Sequence, residues 1–509
     1  MPSSELLPLR NGQSVELTAI PQVSFAQFTR LIVQAVAAGQ RVSALYADES
    51  IEAEATDLYA ILADDGENRI HVTRTTVAGD RFESLTPQCP QVHLFEREIA
   101  EQYGLHPENH PWLKPVRYRA SWREGRDAWG RTAGQAIVPG VGDFYRVAGE
   151  QVHEVAVGPV HAGVIEPGHF RFQCHGEEVF HLEIALGYQH RGIEEAMIGG
   201  PGPRSIHYAE TLAGDTTVGH ATAYAQVIEA LTHCAPPARA QVIRGIALEL
   251  ERLANHVGDL GALATDVGFL PTASYCGRIR GDFLNLTAQF CGSRFGRGLV
   301  RPGGVGFDAE PARIADMLKR LDAHERDVSS AVNLLWDAPS VMARFEDAGP
   351  LPADVCRQLG VVGPAARASG INRDVRQDQP AGIYRFVQIP VSTWESCDVF
   401  ARAYVRWMEI QQSMEFVREQ LRALPAGDIR AEPGELAPGR LAVAMVEGWR
   451  GEICHVGVTD PLGGFSRYKI VDPSFHNWPG LAHALRNQQI SDFPICNKSF
   501  NLSYCGHDL

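Results

Sequence analysis

Residues 240–263 read AQVIRGIALELERLANHVGDLGAL. Ile243, Ile246, Leu250, Leu253, Val257 and Leu260 recur at intervals of three and four, so one stripe of a helix is apolar and packs inward. Similar periods run through residues 311–335 and 399–424, and three long amphipathic helices in one unit imply a helical bundle at its core. Upstream, residues 155–158 and 169–174 are strand-like; downstream, residues 440–470 return to strands around a turn at Gly463 and Gly464. Residues 1–118 read as a small α/β unit, with a helical period over 25–38 and strand-like pieces at 42–46, 58–62 and 69–73. That unit closes with FEREIAEQYGLHPENHPWLKPVRY (95–118), a charged helical turn that Gly104 stops and a proline-punctuated tail that cannot continue it. Residues 119–150 are rich in Arg, Gly and Trp without a period, which suggests a linker or an arm lying on another subunit. The expected fold class is α+β: a small α/β domain over 1–118, a linker over 119–150, and a large domain over 151–509 whose helical bundle is flanked by β-strands.

Composition narrows the functions. Of 509 residues, 45% are hydrophobic and 21% charged, enough apolar side chain for a large core. Forty-six basic against sixty-one acidic residues leave a net charge of −15 with no local basic patch, so no nucleic-acid partner is expected. No run approaches the ~18–20 apolar residues of a membrane-spanning helix. The opening MPSSELLPLRNG lacks the features of a secretory signal, so an intracellular chain is expected. The ten cysteines include no C-x-x-C pair, and the closest two, Cys496 and Cys505, stand nine apart. A disulfide framework, a zinc site and a local iron–sulfur motif are therefore not expected.

Several segments carry residues capable of chemistry. GPVHAGVIEPGHFRF (158–172) is a Gly/Pro-bounded loop with His161 and His169, which are either proton donors near neutrality or solvated turn residues. In GYQHRGIEEAM (187–197), Glu194 follows Arg191 by three, so on a helix the two share a face; half-buried, the pair makes a proton relay, and on the surface it does little. Arg252, His256, Asp259 and Asp266 form a polar stripe beside the apolar one on the 240–263 helix, extended to 266. An ordinary amphipathic helix turns such a stripe to solvent, yet the flanks LGALATDVGFLP are almost wholly apolar, which would raise the Asp266 pKa. RPGGV (301–305) and GPAARASGINRDVR (363–376) match no phosphate loop; glycines beside arginines suggest backbone passing close to another chain or a cofactor. No nicotinamide-binding signature is present.

Taken in order, GPVH…EPGHFRF, HRGIE, ELERLANHVGDLGALATDVGF, RPGGV, RASGINRDVR, VEGWRGEI and DPSFHNWPGL…DFPICNKSF resemble the large subunit of membrane-bound, energy-converting nickel–iron hydrogenases of the formate hydrogenlyase type, and more loosely the quinone-site subunit of respiratory complex I. FEREIAEQYGLHPENHPWL resembles the signature of the small hydrophilic subunit of complex I. In the hydrogenases two C-x-x-C motifs supply four thiolates to nickel. Here the corresponding places hold Ala213 and Thr216 in ETLAGDTTVGH, and Ser503 and Gly506 in NLSYCGHDL, with Cys505 misplaced between them. The resemblance thus implies a member without the nickel–iron site, and the ending at Leu509, lacking the removable extension of nickel-loaded members, fits that expectation. Carried over from complex I, the quinone-binding histidine falls on His169 and its supporting aspartate on Asp266, while the tyrosine's place is Gly214. The resemblance assigns catalytic or proton-handling roles to His169, Asp266 and Glu194, and contact with a possible quinone to His161, Arg301 and Gly214. It implies an iron–sulfur small subunit, a ferredoxin-like subunit and antiporter-like membrane subunits as partners, with this chain peripheral on the cytoplasmic side. The function expected is passage of electrons from the neighbouring cluster to a quinone-like or unknown acceptor with coupled proton transfer. The alternatives are a non-catalytic coupling subunit and an active hydrogenase with unusual ligands.

Overall fold

The computed structural model describes residues 5–49, 55–132, 134–135, 137–138, 143–161 and 165–509. The apolar period over 240–263 belongs to a helix spanning Ala238–Asp266, whose Ile243, Ile246, Leu250, Leu253, Val257 and Leu260 are fully buried. Around it pack the helices Leu270–Cys291, Pro311–Trp336 and Val399–Arg422. Thr217–Thr232 joins the same core and leads across to a sheet. This is the expected bundle, enlarged by Leu270–Cys291, which buries one face through Thr272, Cys276, Ile279, Phe283 and Phe290, and by Thr217–Thr232, which is buried nearly all round.

Strands flank the bundle as expected. Arg440–Gly448, Gly451–Thr459 and Phe465–Val471 form an antiparallel meander. A second sheet joins Val152–Val157, His169–His175 and Glu178–Ala185. In the N-terminal unit, Arg41–Glu49, Ala55–Asp64 and Arg69–Ala78 make the antiparallel sheet that supports the helix Phe25–Ala37. Ser24 and Gln27 close a capping box at that helix's start. The helix His93–Tyr103 ends at Gly104 with φ 66°, where an added Cβ would lie 2.7 Å from Arg126.

The two units are interlocked. Gln13–Glu16 extends the C-terminal meander, pairing Val15 with Leu441. Leu441, Val443, Met445 and Cys454 in turn share one apolar core with Leu45, Ile61 and Phe95. Charge seals the seam: Lys469 pairs with Glu98 at 2.6 Å and Glu194 at 2.9 Å, and Arg467 with Glu194 at 3.1 Å, all buried. The described part of 119–150, expected as a linker or an arm on another subunit, is laid on the chain itself. The Trp122 amide donates to the Gln102 carbonyl at 2.8 Å, and Arg119 pairs with Glu195 at 2.8 Å. Among the described residues no helix is long and apolar enough to cross a membrane, and all ten cysteines are free thiols.

Candidate functional site

The polar stripe of the central helix faces inward. Arg252 pairs with Glu249 at 3.0 Å and donates to the carbonyls of Glu447 and Gly448; His256 meets Glu409 at 2.8 Å, and Asp259 meets Arg406 at 2.9 Å. The solvent-facing expectation fails for these three because the Val399–Arg422 helix and the 440–459 hairpin cover them and supply their partners. Arg367 and Arg376 of the 363–376 segment join the same network, reaching Glu409 at 2.8 Å and Glu249 at 3.1 Å. The glycines beside the arginines approach this chain's own backbone. An added Cβ would lie 2.1 Å from the Arg450 carbonyl at Gly363, 2.0 Å from the Ala431 carbonyl at Gly303, and 2.2 Å from the Ile429 carbonyl at Gly304.

The two segments in which the resemblance looks for metal ligands, 213–216 and 503–506, come together. Residues 213–216 form the turn before the Thr217–Thr232 helix, and Ser503 caps the short helix Tyr504–Asp508 by accepting from the Gly506 amide at 2.9 Å. Arg450 clamps the two turns, holding Asp215 at 2.6 and 2.8 Å and the Asn501 carbonyl at 2.5 Å. The Thr216 hydroxyl accepts from the Trp449 indole at 3.1 Å. Cys505 lies beside Gly214 and Glu166, and burial, reinforced by the Glu166 carboxylate, pushes its thiol up to about 11. At Gly214 an added Cβ would meet nothing within 4 Å, so the wall there is open. At Gly506 it would stand 2.6–2.9 Å from the Asp472 carboxylate, which therefore fills the space of that side chain.

Asp472 begins a buried chain. Its carboxylate meets His220 Nε2 at 3.0 Å, His220 Nδ1 meets His455 Nε2 at 3.1 Å, and His455 Nδ1 meets Tyr468 Oη at 3.0 Å. Burial would raise Asp472, but the His220 hydrogen bond and the nearby Arg450 bring it below the ordinary carboxylate range. Burial, helped by His220, holds His455 well below its ordinary value, so it is neutral. One direction of donation then satisfies every atom: Tyr468 to His455, His455 to His220, His220 to Asp472. Next to the first turn, Glu251 accepts from the Val218 and Gly219 amides at 2.7 and 3.1 Å, and burial, with Asp215 close by, pushes it up to about 8.

A nickel–iron centre does not fit these residues. Ala213 and Gly506 offer no donor, the Thr216 and Ser503 hydroxyls are engaged, and the Cys505 thiol holds its proton. Among the described residues no three His, Cys, Asp or Glu side chains converge to hold a metal ion.

The residues singled out from sequence are scattered. His161 donates to the Gly168 carbonyl at 2.9 Å and His169 to the Gly158 carbonyl at 3.3 Å, lacing the loop whose residues 162–164 lie outside the described set. That loop reaches the turns through Glu166, which accepts from the Tyr504 amide at 3.2 Å, and through Gly168 against the Tyr504 ring. Asp266 ends the central helix exposed; such burial as it has raises its carboxyl and Lys498 opposes this, and no hydrogen bond joins it to His169. Glu194 does not pair with Arg191, which precedes its helix and donates to the Thr211 and Leu212 carbonyls. Burial would raise Glu194, but Lys469 and Arg467 overcome it and hold the group far below the carboxylate range, a fixed anion. Arg301 meets Glu210 at 3.1 Å. Sequence reading missed Asp472, His220, His455, Tyr468, Arg450 and Glu251; DPSF, TVGH, GWRG and ELER held the signal for all but the sheet residues His455 and Tyr468.

Over residues 266–440 the chain matches the family model of the respiratory-chain NADH dehydrogenase 49 Kd subunit, and over residues 21–127 that of the 30 Kd subunit. It is 31% identical to a carbon monoxide-induced hydrogenase of Rhodospirillum rubrum, over 69% of this chain and 97% of that one. Identity to formate hydrogenlyase subunit 5 of Escherichia coli is 28%, over 83% and 76% of the two chains. For NADH-quinone oxidoreductase subunit 4 of Thermus thermophilus it is 29%, over 67% and 90%. These matches agree with the resemblance carried by the motifs.

Proposed function

The chain belongs to the family that unites the 49 Kd subunit of respiratory-chain NADH dehydrogenase with hydrogenases of the carbon monoxide-induced and formate hydrogenlyase kind, and from that membership we propose an oxidoreductase subunit that handles electrons and protons without a nickel–iron site. It works inside a membrane-attached assembly, peripheral on the cytoplasmic side, beside an iron–sulfur small subunit, a ferredoxin-like subunit and antiporter-like membrane subunits. Electrons from the neighbouring cluster go to a quinone-like acceptor in the open space beside Gly214, near Cys505 and the His161–His169 loop. The chemistry a quinone-like group supplies when bound is joint uptake of electrons and protons.

One observation carries this reading: Asp472 stands where a ligand side chain at Gly506 would be, and starts a buried line through His220 and His455 to Tyr468. At the near end of that line a proton can be held on the Asp472–His220 pair at the Gly506 turn; Tyr468 at the far end is buried and keeps its own proton, so the line orients the pair and is not a source of protons. His169, hydrogen-bonded and beside Arg171, orients the loop; Glu194 holds the seam as an anion, and Asp266 with Lys498 offers an outer proton acceptor.

Asp472→Asn in the assembled complex is expected to lower turnover with a soluble quinone about 10²-fold or more while subunit stoichiometry is kept. Unchanged turnover removes the proton role of Asp472 and favours a subunit that only couples its neighbours, a role that the Arg450 clamp across the two turns suits. Stoichiometric nickel in the purified complex overturns the reading altogether.

A further inference from the structure

Behind the 213–216 turn lies a narrow cleft walled by Asp215, Glu251, Asn255, Arg280, Thr287 and Arg294. Arg294 stands exposed at its mouth, whereas Glu251 sits inside with 8% of its surface accessible. The cleft gives about 10 Å³ to the centre of a water, which is room for roughly one molecule. It shares Asp215 with the turn and no residue with the Asp472–His220 pair, so it approaches the turn separately.

Every element around Glu251 presents a charge or a dipole to it. The Val218 and Gly219 amides, at the start of the Thr217–Thr232 helix, donate to its two oxygens. On its own helix stands Arg252, whose guanidinium is engaged by Glu249 and by the Glu447 and Gly448 carbonyls. The turn contributes Asp215, held by Arg450. The Leu270–Cys291 helix and the loop after it contribute Arg280 and Arg294, which line the cleft and have no hydrogen-bond or ion-pair partner among the described residues. Amides and cations favour the carboxylate, burial and Asp215 favour the acid, and the acid prevails up to about 8. Such a group is neutral in neutral water yet within reach of ionisation, the condition for efficient proton donation. Glu194 and Glu409, as deeply enclosed, are instead fixed anions among cations.

We propose that Glu251 is a proton-loading residue of the 213–216 turn: it takes a proton from water in the cleft and delivers it, past Asp215, to the space beside Gly214. The Glu251 O–H bond breaks, and the proton ends on an oxygen of the quinone-like acceptor that has taken electrons from the neighbouring cluster. The carboxylate left behind faces Arg280 and Arg294 and is reprotonated from bulk water. The destination of the proton rests on the electron-transfer reading; the loading does not.

The test pairs two measurements on the assembled complex. Infrared titration in light and heavy water is expected to show a carboxylic acid band that shifts on transfer to heavy water without denaturant, disappears with a midpoint near pH 8, and is missing in Glu251→Gln. Glutamine reproduces the shape of the protonated acid, so the variant keeps the packing. Turnover with a soluble quinone should fall about 10²-fold in Glu251→Gln with KM unchanged, and the wild-type decline above pH 8 should vanish, because only the protonated acid donates. A band that is absent, does not exchange, or titrates near 4.5 like an ordinary glutamate overturns the loading. Unaltered kcat, or a loss confined to KM, overturns the delivery. A wild-type complex that reduces no quinone fails the electron-transfer reading alone, and the infrared result still decides whether Glu251 loads. Should Glu251→Gln assemble poorly, the wild-type band and pH profile decide by themselves: without a step near pH 8 in both, the proposal falls.

Discussion

At Gly506 a hydrogen atom decides what the second turn can hold. An added Cβ would meet the Asp472 carboxylate at 2.6 Å, and that carboxylate is fixed by the Ser474 amide and His220. Gly506→Ala is therefore expected to cost about 1–3 kcal/mol, read as a lower urea midpoint. Restoring cysteine at 213, 216, 503 and 506 together should still load no nickel while Asp472 remains. Glu251 gives a second handle. The folded chain keeps its proton up to about pH 8, whereas an unfolded glutamate releases it near 4.5. The stability it contributes is full below the lower value and is lost as pH rises through the upper one. Midpoints of wild type and Glu251→Gln, compared from pH 5 to 9, should diverge with wild type falling; parallel curves would refute the assignment. The sequence names both positions and not what surrounds them. A glycine at 506 reads as a missing ligand, and only coordinates reveal the neighbour occupying its place.

Among elements, the central helix separates what periodicity conveys from what it cannot. The three-and-four spacing of Ile243 through Leu260 located its apolar stripe, because burial against other helices needs only one face. The polar side was ambiguous: Arg252, His256 and Asp259 would look the same on a wet surface. Their partners come from far along the chain, Glu409 lying 153 residues from His256, and no local pattern encodes that. Glu409 is the hub, meeting Arg367, His256 and Arg252 within 3.7 Å. Burial would raise it, yet Arg367 and the His256 hydrogen bond take it well below the carboxylate range. Glu409→Ala takes a buried carboxylate from His256, from Arg367, which keeps Glu447, and from Arg252, which keeps Glu249, and should cost about 3 kcal/mol by denaturant titration, whereas a loss under about 1 kcal/mol would mean the network rearranges freely. The motif order led to the family and to the two turns. The buried Asp472–His220 pair stayed hidden since the two are neighbours only through folding, 252 positions apart.

Over the whole molecule, the division near residue 118 marks a change in composition and not a break in packing. Gln13–Glu16 is a strand of the C-terminal meander, and Asn11 donates to the carbonyls of Gln379 and Met445. Deleting residues 1–20 should lower the urea midpoint of the full chain and reduce its soluble yield; an unchanged midpoint would show that the added strand is dispensable. Across the same boundary Glu98, Arg117, Glu194, Arg467 and Lys469 are all withdrawn from water. Mobile counterions shield charges they can approach and scarcely weaken pairs sealed from solvent. Strong brine, which loosens subunits held by exposed charges, should leave these two halves riveted together.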